Sequence, residues 1–466
     1  MSNAVDLFIV LYFIGLNLTY GLYLVLSSAE MASSDALRMT ELDHLTLRTD
    51  STPPVSILVP AFNEVRSIVD SVRALLQLEY PRFEIIVIND GSSDDTMAVL
   101  TARFDLVELD RPCRRDVPTQ AIRHLYRSRI EPRLIVVDKE NGGKADALNA
   151  GVNVSRAPLL CCVDADSILV RRALLRLVEP FIYGDGSVVA TGGTVRLVNG
   201  SAVKDGSIRK IQLPDSWIAR FQIVEYLRAF LFARLGLNRL GGNLIISGAM
   251  GLFKRQVLVD IGGYQAASIG EDMELIVRIH RHMREKKRPY QIKFIPDPVC
   301  YTEAPVSLKV LGRQRDRWQR GLADSLWRHR RMILNPRYGI VGLVTTPLYL
   351  VFELLAPLVE LFGYAWTAVA VADGRVGFTV AALIFLIAFL LGFLFSLQAL
   401  IADDLTFRNY PDLRARLWLI ASATLENVGY RQVLLLYRTR GLFRFLWGAR
   451  GWGTMQKKGF SPRAPA

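Results

Sequence analysis

Apolar and polar positions alternate along this chain on two length scales. Leu7–Leu26 is a run of 20 residues without a charge, long enough at about 1.5 Å per residue to cross a hydrocarbon core of about 30 Å. No basic residue precedes it and no A-x-A-like cleavage site follows, so the pattern predicts a retained span rather than a removed signal peptide. Arg38 and Arg48 behind it place the amino terminus outside and the next segment in the cytoplasm. From Val55 the scale shortens. VSILVP (Val55–Pro60), FEIIVIN (Phe83–Asn89), LIVV (Leu134–Val137) and LLCCV (Leu159–Val163) are unbroken apolar runs, as in parallel strands buried on both faces. Helical stretches near Arg66–Gln77, Asp94–Thr101 and Gly143–Val154 separate them. This order predicts an α/β sheet, with its ligand beyond the carboxyl ends of the strands.

The remainder returns to long apolar stretches. Val188–Val198 reads as a strand, Asp215–Arg234 as an amphipathic helix rich in aromatics, and Lys309–Leu322 as a basic helix. Gly339–Ala372 contains Pro347, Glu353, Pro357 and Glu360, and reads as a kinked span or an interfacial helix plus a span. Val376–Ile401, with 26 uncharged residues, is a clear span. Leu417–Tyr437 carries Glu426, Asn427 and Arg431, so an interfacial or re-entrant segment is expected there, leaving the basic carboxyl terminus in the cytoplasm.

Composition narrows the class. Across 466 residues, 51% are hydrophobic and the mean hydropathy is +0.24, which fits a soluble domain joined to a few spans. The net charge of +13 admits nucleic acid, an anionic bilayer or phosphorylated substrates. Its basic residues concentrate at Arg313–Arg331 and Arg431–Lys458, beside apolar segments, and no nucleic-acid recognition motif occurs. A nucleic-acid partner is therefore disfavoured. Cys113, Cys161, Cys162 and Cys300 have no metal-ligand spacing and read as reduced, structural thiols.

Candidate chemistry lies where the strands end. Asn63 and Glu64 follow the first, Asn89, Asp90 and Gly91 the second, and Asp164 and Asp166 the fourth. If the backbone stays extended, Asp164 and Asp166 project the same way and offer hard oxygens to Mg²⁺ or Mn²⁺, with substrate phosphates completing the shell. Such a pair also closes strands in solvated turns, so its weight comes from its surroundings. No GxGxxG follows the first strand, which disfavours a dinucleotide site. Asn141-Gly142-Gly143-Lys144 opens a helix, either as a phosphate cradle or as an ordinary glycine loop with a surface lysine. Ser247-Gly248-Ala249-Met250-Gly251 is a small-residue turn that lets a bulky substrate near the backbone. Gly270-Glu271-Asp272 opens another helix, where the dipole favours acidic residues in any case and where Asp272 would be a rigidly held base. Gln314, Arg317 and Trp318 share one helix face, combining a diphosphate binder with a sugar-stacking indole, although a basic helix resting on a bilayer also fits.

Together, PAFNE (Pro60–Glu64), NDGSSDD (Asn89–Asp95), NGGKADALNAG (Asn141–Gly151), DAD (Asp164–Asp166), SGAMG (Ser247–Gly251), GED (Gly270–Asp272) and QRDRW (Gln314–Trp318) resemble the membrane-bound processive family 2 glycosyltransferases. That group includes cellulose, hyaluronan and chitin-type synthases, and the apolar carboxyl-terminal part is most similar to the bacterial poly-N-acetylglucosamine synthase-like branch. The resemblance runs from about Ser51 to Arg331. It implies an α/β GT-A type nucleotide-sugar transferase domain over 51–335. Transmembrane and interfacial α-helices would occupy 1–30, 336–402 and part of 403–466.

By position, the resemblance implies that Pro60, Asn63, Glu64 and Asp90 bind the nucleotide, with Glu64 and Asp90 at the uridine, and that Lys144 lies near the phosphates. Asp164 and Asp166 would hold the UDP-sugar and the metal, Asp166 directly. Ser247, Gly248 and Ala249 would meet the acceptor. Asp272, beside Glu271, would be the general base, and Gln314, Arg317 and Trp318 would bind pyrophosphate and the terminal acceptor sugar. Gly270 stands where the family usually has threonine, and Asn89-Asp90 where some members have two aspartates. The implied activity is inverting, processive β-transfer, best matched to N-acetylglucosamine, from a UDP-sugar to a growing glycan. Its implied setting is the bacterial inner membrane, with the catalytic domain facing the cytoplasm and a secretion partner or second copy completing export. Transfer of one sugar to a lipid or short glycan, and glucan synthesis from UDP-glucose, are the alternatives.

Overall fold

A computed structural model of the protein describes residues 2–38, 52–204, 206–410 and 412–449. The flanking Arg48, the domain start at Ser51 and residues 450–458 of the basic tail lie outside the described residues. Two compact units are present, an α/β unit from the described parts of 33–211 and 243–303 and a helical unit from those of 1–32, 212–242 and 304–455.

In the α/β unit the strands are β1 (Val55–Ala61), β2 (Phe83–Asp90), β3 (Leu106–Glu108), β4 (Ile122–Ser128), β5 (Leu134–Lys139), β6 (Leu159–Val163), β7 (Ser167–Leu169), β8 (Val188–Leu197), β9 (Ala202–Lys204), β10 (Ser207–Lys210), β11 (Met250–Lys254) and β12 (Gln291–Thr302). Ten form one sheet in the order β3-β4-β5-β2-β1-β6-β11-β8-β12-β7, and β9 and β10 form a separate hairpin. The four expected strands run parallel at its centre. Ile57, Leu58, Ile85, Ile86 and Ile88 are fully buried there, because helices cover both faces of a parallel sheet and leave no polar alternation. The helix Lys144–Val154 is buried along nearly its whole length and packs into the core with Leu58, Ile88 and Leu160.

The flanks of the sheet depart from the parallel pattern. β11 runs antiparallel to β6, pairing Met250 with Val163, and β4 runs antiparallel to β5. β12 is parallel to β8 with register shifts around Pro298, where the missing N–H breaks the ladder.

In the helical unit, Ala4–Ser33 and Phe378–Thr406 are long and apolar enough to cross a membrane, and Val341–Leu354 and Ala356–Ala372 form a pair bent by 46° that passes the same test jointly. The expected helix after Asp215 is Trp217–Leu227 continued by the π-helical Arg228–Arg234 and by Leu235–Leu240. Arg228 pairs with the fully buried Glu426, and Ser396 Oγ donates to the same carboxylate at 2.7 Å. That ion pair lies beside a break in the chain: Val428 and Gly429 leave helical geometry between Leu413–Leu425 and Arg431–Leu446. The basic helix Leu308–Arg328 packs closely on Arg431–Leu446, since a Cβ on Gly441 would lie 2.7 Å from the Asp316 carbonyl. Asp316 is buried and accepts from Arg320, Arg440 and Arg444 at 3.0, 3.3 and 2.9 Å. Each buried charge named here is thus compensated inside the protein, as low dielectric demands.

Candidate active site

The carboxyl ends of β1 and β6, the turn before β11 and the start of the helix Glu271–Glu285 meet at a cleft. Pro60, Lys144, Asp164, Gly248, Glu271 and Asp272 border it, joined by Ser247. These seven came from five separate sequence motifs, and the sheet brings them to one place.

The Asp164–Asp166 pair does not sit on an extended strand. β6 stops at Val163, and Ser167 N–H donates to the Asp164 carbonyl at 3.0 Å, closing a tight turn. The two carboxylates therefore project from a turn rather than sharing one strand face. Asp164 N–H donates to Ala249 O at 3.1 Å, which ties this turn to the small-residue loop.

Lys144 lies among the acidic groups. Its Nζ is 2.6 Å from Asp164 Oδ1 and 3.4 Å from Glu271 Oε1, and it donates to Gly248 O at 3.0 Å. Burial disfavours the ammonium, but Asp164 and Glu271 outweigh that cost and raise its pKa above the ordinary lysine value. Glu271 is 5% exposed. Asp272 is half-buried, and its Oδ1 accepts from Met273 N–H at 2.9 Å. A Cβ on Gly248 would fall 2.8 Å from Asp272 Oδ2, so only glycine leaves that carboxylate its position. Three carboxylates face one ammonium, an excess of negative charge that suits a cationic or cation-bridged ligand.

The loops after β1 and β2 hold each other. Asn63 takes a positive φ of 57°; its Oδ1 accepts from Ser93 N–H at 2.8 Å, and its N–H donates to Ser92 Oγ at 3.0 Å. Asn63 thus builds the loop. Glu64 is half-buried, with its carboxylate accepting from Ser67 Oγ at 2.5 Å. Asp90, expected at the uridine, is 2% exposed and fully engaged. It pairs with Lys139 at 2.6 Å and accepts from the N–H groups of Gly142 and Gly143 at 3.0 and 2.8 Å. These contacts shape the Asn141–Lys144 loop. Gly91 is needed at that junction: its φ is 66°, and a Cβ would lie 2.8 Å from Asn141 N.

Gln314, Arg317 and Trp318 belong to the helical unit, on the helix Leu308–Arg328. Gln314 and Arg317 are half-buried and Trp318 is 42% exposed. The Arg315 guanidinium lies 4.3 Å over the Trp318 ring and is itself paired with Glu225 at 2.8 Å, so the indole is held in place.

Sequence reasoning did not identify Lys139, Cys162 and Tyr264. Lys139 ends an apolar strand, where a fully buried lysine carries no periodic signal. Cys162 and Tyr264 line the cleft and meet across β6, with Tyr264 O–H donating to Cys162 Sγ at 3.2 Å.

Residues 56–262 match Glycosyl transferase family 2, and residues 161–398, more than half of the chain, match Glycosyl transferase family group 2. The poly-beta-1,6-N-acetyl-D-glucosamine synthase of Staphylococcus aureus (strain COL) is 28% identical over 283 residues, covering 60% of this chain and 58% of that protein. The synthase of the same name from Staphylococcus epidermidis is 28% identical over 275 residues, covering 59% and 56%. The match therefore spans somewhat more than half the length of these relatives. A mannosyltransferase from Pyrobaculum calidifontis, solved in complex with GDP-Man and Mn²⁺, has the same fold with a TM-score of 0.50 at 18% identity, over 89% of this chain and 99% of that one.

Proposed function

Because the chain belongs to Glycosyl transferase family group 2, we propose that it is an inverting, processive β-glycosyltransferase adding N-acetylglucosamine from UDP-N-acetylglucosamine to a growing glycan. The observation that carries this reading is the ring of Asp164, Glu271 and Asp272 around Lys144 at the mouth of the cleft. A neutral sugar needs no such ring, whereas a nucleotide-sugar brings a diphosphate and its counter-cation.

In the proposed reaction Asp272 accepts the proton of an acceptor hydroxyl. That oxygen forms a bond to the anomeric carbon from the face opposite the diphosphate, the carbon–oxygen bond to the diphosphate breaks, and UDP leaves with the electron pair. The α-linked donor becomes a β-linkage without a covalent enzyme intermediate. A placed base is worth about 10²–10⁴ in rate. The helix start fixes Asp272, and Gly248 leaves room beside it.

Asp164 and Asp166 offer the hard oxygen donors that Mg²⁺ or Mn²⁺ prefers, and Asp166 is assigned as the direct ligand. Among the described residues no group of three or more His, Cys, Asp or Glu side chains forms a metal cage, which fits a cation whose shell is completed by diphosphate oxygens. Such a cation would neutralise charge on the leaving diphosphate. Glu64 is assigned to the uridine end, Ser247 to Ala249 to the acceptor, and Gln314, Arg317 and Trp318 to pyrophosphate and the terminal sugar. The apolar helices are assigned to the bacterial inner membrane, with the α/β unit in the cytoplasm and a secretion partner or second copy completing the exit path.

The test is UDP release by the purified protein in nanodiscs across a panel of UDP-sugars, with Mn²⁺, Mg²⁺ or EDTA, followed by sizing of the products. Metal-dependent release from UDP-N-acetylglucosamine with long products is expected. Addition of a single sugar would replace polymerisation with transfer to a lipid or short acceptor, and release indifferent to EDTA would remove the metal assignment.

A further inference from the structure

The polar ring covers only the rim of the cleft; its floor is apolar. Leu148, Ile246, Phe253, Leu275 and Ile276 line it together with Cys162, and all six belong to the buried core of the α/β unit. Carboxylates and an ammonium recognise a diphosphate or a hydroxyl, but they give no reason for a greasy floor beneath a sugar site. One polar atom is set into this floor, the hydroxyl of Tyr264, which is 5% exposed. Its backbone is clamped by Asn149, whose Oδ1 accepts from Tyr264 N–H at 2.7 Å and whose Nδ2 donates to Tyr264 O at 3.0 Å. The hydroxyl proton is directed at Cys162 Sγ, 3.2 Å away. A thiol sulfur is a weak acceptor. A strong donor in a buried, clamped residue is thus spent on a poor partner, and a carbonyl oxygen entering the cleft would make the better bond.

We propose that this floor selects the donor sugar: Tyr264 O–H turns from Cys162 Sγ to the acyl carbonyl of an N-acylated hexosamine, whose methyl packs against Cys162, Phe253 and Leu275. The inference rests on the nucleotide-sugar reading above and adds to it the residues that separate an N-acetylhexosamine from a hexose. The donor is the sugar in question because the cleft lies between Asp164, assigned to the diphosphate side, and Asp272, assigned to the attacking side. An apolar pocket alone discriminates one methyl group by about 10–200-fold, and a hydrogen bond lost from a buried donor raises that ratio further.

The experiment measures binding of UDP, UDP-glucose and UDP-N-acetylglucosamine to the full-length protein in nanodiscs with Mn²⁺ and without acceptor, for the wild type and Tyr264→Phe. Wild type should prefer UDP-N-acetylglucosamine to UDP-glucose by at least about tenfold. Tyr264→Phe should erase most of that preference by weakening UDP-N-acetylglucosamine alone, with UDP affinity as the check that the site is folded. Cys162→Ser offers Tyr264 a stronger acceptor and should reduce the preference in the same direction. An unchanged preference in both variants, or equal weakening of both sugars, would overturn the inference while leaving the transferase reading standing. Failure of the wild type to bind UDP at all would instead overturn the transferase reading on which it rests.

Discussion

Two lysines five residues apart, each between two carboxylates, show how differently the same chemistry can be used. Lys139 is fully buried, 2.6 Å from both Asp90 and Asp146. Lys144 is 2.6 Å from Asp164 and 3.4 Å from Glu271, with about a fifth of its side chain exposed. Around Lys139 the same carboxylates also accept from the amides of Gly142 and Gly143 and of Gln120, so they are engaged within the protein. Around Lys144 a third carboxylate, Asp272, borders the same cleft, and the balance is left negative. A closed ion cluster holds a loop in shape; an open, unbalanced one is suited to meeting substrate.

Substitutions can break this comparison. The largest effect is expected at the open site: Asp272→Asn should lower turnover by about 10²–10⁴-fold while leaving UDP affinity and thermal stability near wild type. Near-normal turnover would remove Asp272 as the base. At the closed site Lys139→Ala leaves Asp90 and Asp146 facing each other without their cation, and should cost about 3–5 kcal/mol of stability, read as a fall in unfolding midpoint. Lys144→Ala should cost less than that, because Asp164 is partly exposed although Glu271 is buried, yet abolish transfer. Equal stability losses in the two variants would erase the distinction.

A finer probe is Gly248→Ala. Its methyl would meet Asp272 Oδ2 at 2.8 Å, and displacement of the base should slow transfer by about 10–100-fold with UDP binding retained. An effect confined to acidic pH concerns a second closed group, His280, which is fully buried between Tyr290 O–H at 2.7 Å and Asn243 O at 2.8 Å. Burial pushes its pKa from 6.5 down to about 4. The unfolded chain therefore binds a proton below pH 6.5 that the folded chain refuses, so stability is intact above that pH and falls as pH drops towards 4. The slope is about 1.4 kcal/mol per pH unit for this group. His280→Gln should flatten that part of the stability–pH curve.

How far the sequence reached differs by element. The central strands were legible because burial on both faces leaves runs such as VSILV without polar interruption, and β2 and β5 read the same way. β4 was not, since much of it is exposed at the flank of the sheet, and β12 was masked by its two prolines. The long helix expected after Asp215 is interrupted by a π-helical segment where Arg228 meets Glu426. Those two residues are about 200 positions apart, and local periodicity carries no trace of such a pairing.

The sequence by itself determined which residue types stand at the ends of the strands, and with them the family-like set of Asp164, Asp166, Glu271, Asp272 and Lys144, together with the apolar runs long enough to cross a bilayer. Spacing along the chain is enough for that, because strand, turn and helix starts are local. The tertiary structure alone decided that Asp90 faces inward to Lys139 while Asp164 faces the cleft, that Asp164 sits in a turn, and that Tyr264 reaches Cys162 from 102 positions away. Which side of a buried sheet a charge ends on depends on what packs against it, and the packing partners come from distant parts of the chain.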